Sequence, residues 1–105
     1  MNDRELLELA AKAYGVILNQ YETEDFLRAD HSMQGRFWNP RWNPLTDDGD
    51  ALRLAVKLRM IIDPYAGLVG VPPDAVVPTI NEGDIYAATR RAIVRAAAEI
   101  GKEMP

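Results

Sequence analysis

The stretch WNPLTDDGDALRLAVKLRM, residues 42–60, decides the fold. Asn43-Pro44 predicts a turn, because the residue before a proline is pushed out of the helical conformation. Thr46 or Asp47 can then cap a helix by accepting hydrogen bonds from the free N–H groups of its first turn. Apolar residues recur at helical spacing after this cap, with basic residues on the opposite side. We therefore predict a helix over 46–59.

The chain before this stretch predicts a helix followed by a strand. Asn2 and Glu5 have the spacing of a capping box, with Asp3 as a second candidate cap. Gly15 stands where a helix ends in a left-handed conformation. The run after it is rich in β-branched residues and predicts a strand over 16–21.

The chain after this stretch predicts short strands and one long helix. Residues 60–62 fit either the end of the central helix or the start of a strand. Strands are predicted over 67–71 and 75–77, and Asp84 is the expected cap of a helix over 85–100. Gly101 is expected to end that helix. This order predicts a single-domain α+β fold over residues 1–105, with about three helices packed on a small sheet.

The segment 22–41 is irregular, with candidate strands at 26–27 and 36–38. It leads into two Trp-Asn-Pro triplets, which begin at Trp38 and Trp42. Large aromatic side chains usually bury most of their area, so these rings predict a plug at one end of the core. The alternative is an exposed surface for a protein partner, formed by Phe37, Trp38 and Trp42.

Composition restricts the class of protein. A chain of 105 residues with no cysteine has neither disulfides nor thiolate metal sites. Its N-terminus lacks the pattern of a signal peptide and no apolar run is long enough to span a membrane, so we expect a cytoplasmic protein without membrane contact. Residues 1–50 carry ten acids and five bases, which argues against nucleic acid as a partner.

The sequence predicts no enzyme, cofactor or metal centre. His31 is the only histidine, and we interpret it as a loop residue in contact with water. Capping explains the acids at 47, 48 and 50; the alternative is a magnesium site that joins Asp47 or Asp50 to Glu82 or Asp84.

Arg90, Arg91 and Arg95 form the one compact basic group. We expect them to pair with Glu99 or with acids of a neighbouring chain. The alternative is that they grip the phosphate or carboxylate of a ligand.

Two segments carry a family resemblance. WNPLTDDGDALRLAVKL, residues 42–58, and YAATRRAIVRAAAEIGK, residues 86–102, resemble the phage ABA sandwich domain family of small phage and prophage proteins. The resemblance implies an α-β-α layered fold. It implies no reaction and no catalytic residues.

Three functions are compatible with these observations. The first is a non-enzymatic phage accessory protein that binds a host or phage protein and so counteracts a host process such as defence. The second is a small-ligand or nucleotide binder, an oligomer that sequesters its ligand at sites between subunits and uses the three arginines with Trp38 or Trp42. The third is a phage enzyme of unrecognised type. The alanine-rich last helix also suits a homodimer interface.

Overall fold

Three helices and five short strands follow one another in the computed structural model, which describes residues 2–15, 17–19, 28–30, 42–72, 74–79 and 83–105. The helices are α1 (Asp3–Tyr14), α2 (Asp48–Lys57) and α3 (Ile85–Lys102). The strands are β1 (Ile17–Asn19), β2 (Arg28–Asp30), β3 (Ile61–Asp63), β4 (Leu68–Val71) and β5 (Asp74–Pro78).

Helix α1 begins and ends where its sequence predicts. The Asn2 side chain accepts from the Glu5 N–H at 2.8 Å, and the Glu5 side chain accepts from the Asn2 N–H at 3.4 Å. Gly15 ends the helix with φ of 90°, a left-handed conformation that glycine adopts without steric cost. The capping box and the glycine stop are both confirmed.

Helix α2 is two residues shorter at each end than predicted. Asp47 is its cap and accepts from the Asp50 N–H at 2.7 Å, so the first helical residue is Asp48. Beyond the helix, Arg59 takes a left-handed conformation with φ of 57°. This residue turns the chain, so that residues 61–63 form strand β3 rather than a further helical turn.

Strands β3, β4 and β5 form an antiparallel sheet in that order. Val69 lies opposite Val77 and Ile62 lies opposite Val69, so these three residues share one face. Val69 and Val77 are buried in the core with α3. Ile61 and Val76 lie on the other face and are exposed. The predicted strands over 67–71 and 75–77 are confirmed as β4 and β5.

Strands β1 and β2 form a separate antiparallel pair in which Ile17 lies opposite Asp30. Strand β1 falls within the strand predicted over 16–21. The candidate strands at 26–27 and 36–38 lie outside the described residues, as does His31.

Helices α1 and α3 run parallel and form the most extensive contact of the fold. Arg91 of α3 pairs with Asp3 in the first turn of α1. In the last turn of α1, the Lys12 ammonium donates to the carbonyl of Met104, which follows α3. Gly101 is buried within α3, which continues to Lys102, so the prediction that Gly101 ends the helix is wrong. A side chain at Gly101 would overlap the backbone of Leu9, so close helix packing is the reason for this glycine.

The core lies between the helices and the three-stranded sheet. Its helical contribution consists mainly of small side chains, which let α3 approach both α1 and the sheet. The chain is thus a small α+β domain with three helices packed on a small antiparallel sheet, as the sequence predicts.

Candidate functional site: an apolar groove between α2, α3 and β3

Trp42 belongs to the core and not to a binding surface. Its side chain is 2% exposed, and its ring stacks on that of Tyr14 with centroids 5.8 Å apart and planes at 17°. The plug interpretation is therefore confirmed for Trp42, and its alternative role as an exposed partner-binding residue is wrong. Phe37 and Trp38 lie outside the described residues.

Arg90 fixes α3 to the turn before α2. Its Nε donates to the Leu45 carbonyl at 2.9 Å, and its Nη1 lies 2.7 Å from the Asp48 carboxylate. The Arg90 side chain is 18% exposed, so this ion pair is shielded from water more than an ordinary surface pair. Because the Asp48 carboxylate already neutralises it, Arg90 is a poor site for a free anion.

The other two arginines point elsewhere. Arg91 pairs with Asp3 of α1 at 3.1 Å, and Arg95 has no ion-pair partner within the described part of the chain. Glu99 pairs with Lys102 at 3.7 Å rather than with an arginine, which corrects one predicted pairing. Arg90 and Arg91 are thus held by acids of two different helices, which confirms the ion-pairing expectation for these two residues with partners other than Glu99. The alternative role of the three arginines as an anion site stays a prediction.

The acids at 47, 48 and 50 have separate structural roles. Asp50 is buried and accepts from the Asn43 N–H at 2.9 Å and from Arg53 at 2.8 Å. The hydrogen bond to this carboxylate is the main cause that raises the pKa of Arg53. With Asp47 as the α2 cap and Asp48 bound to Arg90, each acid has a partner within the fold. The capping interpretation is confirmed for Asp47.

Asp84 caps α3. Its carboxylate accepts from the N–H groups of Tyr86 and Ala87 at 2.9 and 3.3 Å. Among the residues that the structure describes, no three histidines or acids lie close enough together to hold a metal ion. Glu82, the other candidate magnesium ligand, lies outside those residues.

A groove with a volume of about 340 Å³ opens between α2, α3 and the edge strand β3. Its walls are mostly aliphatic and aromatic, and the Asp48–Arg90 pair is the charged part of its lining. The residues that line it are Asp48, Ala51, Leu52, Ile62, Pro64, Ile85, Tyr86, Thr89, Arg90 and Ile93.

The rim of the groove exposes large apolar side chains. Leu52 is 59% exposed, and Ile85 and Tyr86 are exposed on the facing helix. Tyr65 is fully exposed in the turn next to Pro64. Large apolar patches on a small domain mark places where a protein or ligand binds.

Sequence reasoning missed this groove, although one signal pointed to it. The apolar stripes of α2 and α3 are wider than one buried face requires, because Leu52 and Ile85 extend them beyond the residues that the core covers. The surplus apolar residues from the two helices meet at the groove.

The groove offers contact area rather than reactive groups. The Thr89 hydroxyl donates to the Ile85 carbonyl at 2.8 Å, and the charges of Asp48 and Arg90 cancel. Among the described residues, the Thr89 hydroxyl and the Asp48 carboxylate of the lining bond to other groups and not to each other.

Comparison of the chain with protein-family models, curated proteins and solved structures gives no match. The resemblance to the phage family therefore stays a prediction from the two sequence motifs. No helix in the described part of the chain is both long and apolar enough to cross a bilayer.

Proposed function

We propose that this protein is a small, non-enzymatic binding module that docks an apolar segment of another protein in the groove between α2, α3 and β3. The observation that carries the proposal is the exposed apolar rim, formed by Leu52, Ile85 and Tyr86. Aromatic and aliphatic anchors beside a concave surface are the usual centre of a protein interface.

The state of the arginines supports a protein partner over an anionic ligand. Arg90 is bound to Asp48 and to the Leu45 carbonyl, so a phosphate would have to displace an existing carboxylate. Arg91 and Arg95 do not line the groove. An apolar segment demands no such exchange and gains from every water molecule that it expels.

The resemblance to phage proteins suggests the setting. In that setting the partner is a host or phage protein, and binding blocks a host process such as defence. The net charge of −4 fits a basic partner, because complementary charge raises the rate of encounter. This part of the proposal rests on the two sequence motifs.

A second candidate follows from the size of the groove. A volume of about 340 Å³ lies in the lower part of the range that small-molecule pockets occupy, and Arg90 and Tyr86 form part of its wall. A small ligand with an apolar body and a polar end would fit these residues.

The test compares two variants of one helix. Leu52→Asp places a charge in the groove, whereas Val56→Asp places the same charge one turn away, at a residue that is 66% exposed and does not line the groove. Both proteins, with the wild type, are used as bait in bacterial lysate and then analysed by native mass spectrometry.

We expect the wild type and Val56→Asp to retain the same protein and Leu52→Asp to lose it. Equal retention by all three proteins would refute the groove as the binding surface. A co-purifying small molecule that only Leu52→Asp loses would favour the second candidate. A change from dimer to monomer in Leu52→Asp alone would identify the groove as a homodimer interface.

A further inference from the structure

Strand β3 is an edge of the sheet and also a wall of the groove. The sheet order is β3-β4-β5, so in the described part of the chain no strand pairs with the other side of β3. Ile62 of this strand and Pro64 directly after it both line the groove. The groove therefore runs beside a sheet edge.

The backbone of Ile62 faces away from β4. The Gly67 N–H donates to the Asp63 carbonyl at 2.8 Å, which shows that Asp63 directs its backbone groups toward β4. Backbone groups alternate in direction along a strand, so the N–H and C=O of the preceding residue, Ile62, point to the open edge. Neither group makes a hydrogen bond to any described residue.

The neighbouring residues limit backbone pairing at this edge to one residue of β3. The Met60 N–H already donates to the Ala55 carbonyl at 2.9 Å, and Pro64 has no N–H. Ile62 is thus the residue of this edge that offers both a donor and an acceptor to an added strand. Its side chain lies on the same face as the groove, since Ile62 lines it.

The charge near the groove is acidic. Asp48 is matched by Arg90, but Asp84, which directly precedes the lining residue Ile85, forms no ion pair with other described residues. Acidic groups at the rim of an apolar groove favour an occupant that carries lysine or arginine beside its apolar residues.

Taking the proposed function as given, we propose that the occupant is an extended, basic-flanked apolar segment of the partner protein that adds to the sheet at β3. Its backbone pairs with the N–H and C=O of Ile62. Every second side chain enters the groove, because side chains alternate across a strand. Its lysine or arginine residues lie beside Asp84.

Two other occupants fit these observations less well. A helix in the groove would bury apolar area but would leave the Ile62 N–H and C=O without partners, which is costly once water is excluded. A second copy of this chain would carry the same net charge of −4 and so place like charges together.

The experiment selects ligands from a random linear peptide library on the wild-type protein, with Leu52→Asp as the counter-selection and Val56→Asp as the control. We expect enriched peptides with apolar residues at every second position and lysine or arginine at an end. Their affinity should fall as salt is added, because the charge contribution is screened.

A scan of single N-methyl groups along an enriched peptide then tests the backbone pairing. We expect about a tenfold loss of affinity when the methyl replaces the N–H that faces Ile62, since one hydrogen bond is removed and an acceptor is left unpaired. Methylation of the adjacent residue, whose N–H points away, serves as the matched control and should have little effect.

The outcomes separate this inference from the proposed function. Enriched peptides with helical spacing, or a scan without a sensitive position, would overturn strand addition and leave the groove as a protein-binding site. Enrichment of acidic rather than basic peptides would overturn the charge argument. An absence of any peptide that distinguishes the wild type from Leu52→Asp would overturn both.

Discussion

Replacement of Gly101 by alanine tests the close contact between α1 and α3. A β-carbon at Gly101 would overlap the Leu9 carbonyl oxygen and lie 2.9 Å from the carbonyl carbon and 3.3 Å from the Cα of the same residue. All three atoms belong to the backbone of α1, so no side-chain rotation relieves the overlap. The helices must separate locally.

The expected cost follows from this geometry. Carbon atoms pack at about 3.5–4.0 Å, so α1 and α3 must move apart by roughly 1 Å near this contact. Overpacking of this kind costs about 1–3 kcal/mol, and a clash with backbone belongs at the upper end of that range. Alanine recovers up to about 1 kcal/mol of helix propensity. We expect the free energy of unfolding to fall by about 2 kcal/mol.

Urea denaturation followed by circular dichroism measures this change, and a thermal scan should show the midpoint falling by about 10 °C. Gly49→Ala in α2 is the matched control. Its β-carbon would meet the side-chain ends of Asp47 and Arg53 at 3.2 and 3.3 Å, which can move aside, so its stability should change by less than about 1 kcal/mol. A Gly101→Ala protein as stable as the wild type would refute the tight α1–α3 contact.

Three further predictions test the interior and a helix end. Trp42→Ala should cost about 3–5 kcal/mol in urea denaturation because it empties a buried site, and a cost below 1 kcal/mol would mean that the ring is not part of the core. Asp50→Ala should cost about 1–3 kcal/mol, since Arg53 and a buried N–H lose their acceptor, whereas Asp48→Ala at a more exposed ion pair should cost less in the same thermal scan. Asn2→Ala should remove about 0.5–2 kcal/mol and lower the helical signal, while Asn2→Ser should retain both; equal loss in the two variants would argue against the cap.

Local chemistry made both ends of α1 and the start of α3 predictable. Asn2, Gly15 and Asp84 each act on atoms within a few residues of themselves, so their spacing in the sequence carries the whole argument. The same reasoning placed β4 and β5 between turn-forming residues. These features depend little on the rest of the chain.

Long-range contacts were not predictable from one sequence. Gly101 has the appearance of a helix stop, and only the approach of Leu9, from the other end of the chain, gives it a different role. The partner of Arg90 lies 42 residues earlier, at Asp48, which no helical spacing indicates. Composition alone also left two alternatives for Trp42, and the stacked ring of Tyr14 decides between them.

The groove depends both on local sequence features and on long-range contacts. The surplus apolar residues of α2 and α3 are visible in the sequence, but their meeting depends on how the two helices pack. That the Ile62 N–H and C=O meet no partner among the described residues follows from the sheet order, which periodicity does not determine. The features of the site on which the proposals depend could therefore not be predicted without the fold.

The parallel contact between α1 and α3 governs the order in which the chain matures during translation. The apolar face of α1 (Leu7, Ala10 and Ala11) is synthesised first, yet its partner α3 follows about 80 residues later. At 5–20 residues per second this face stays uncovered for roughly 4–16 s. A chain truncated before α3 would thus expose the apolar face of α1, which chaperones and proteases recognise. Synthesis of α3 completes the domain and ends that exposure.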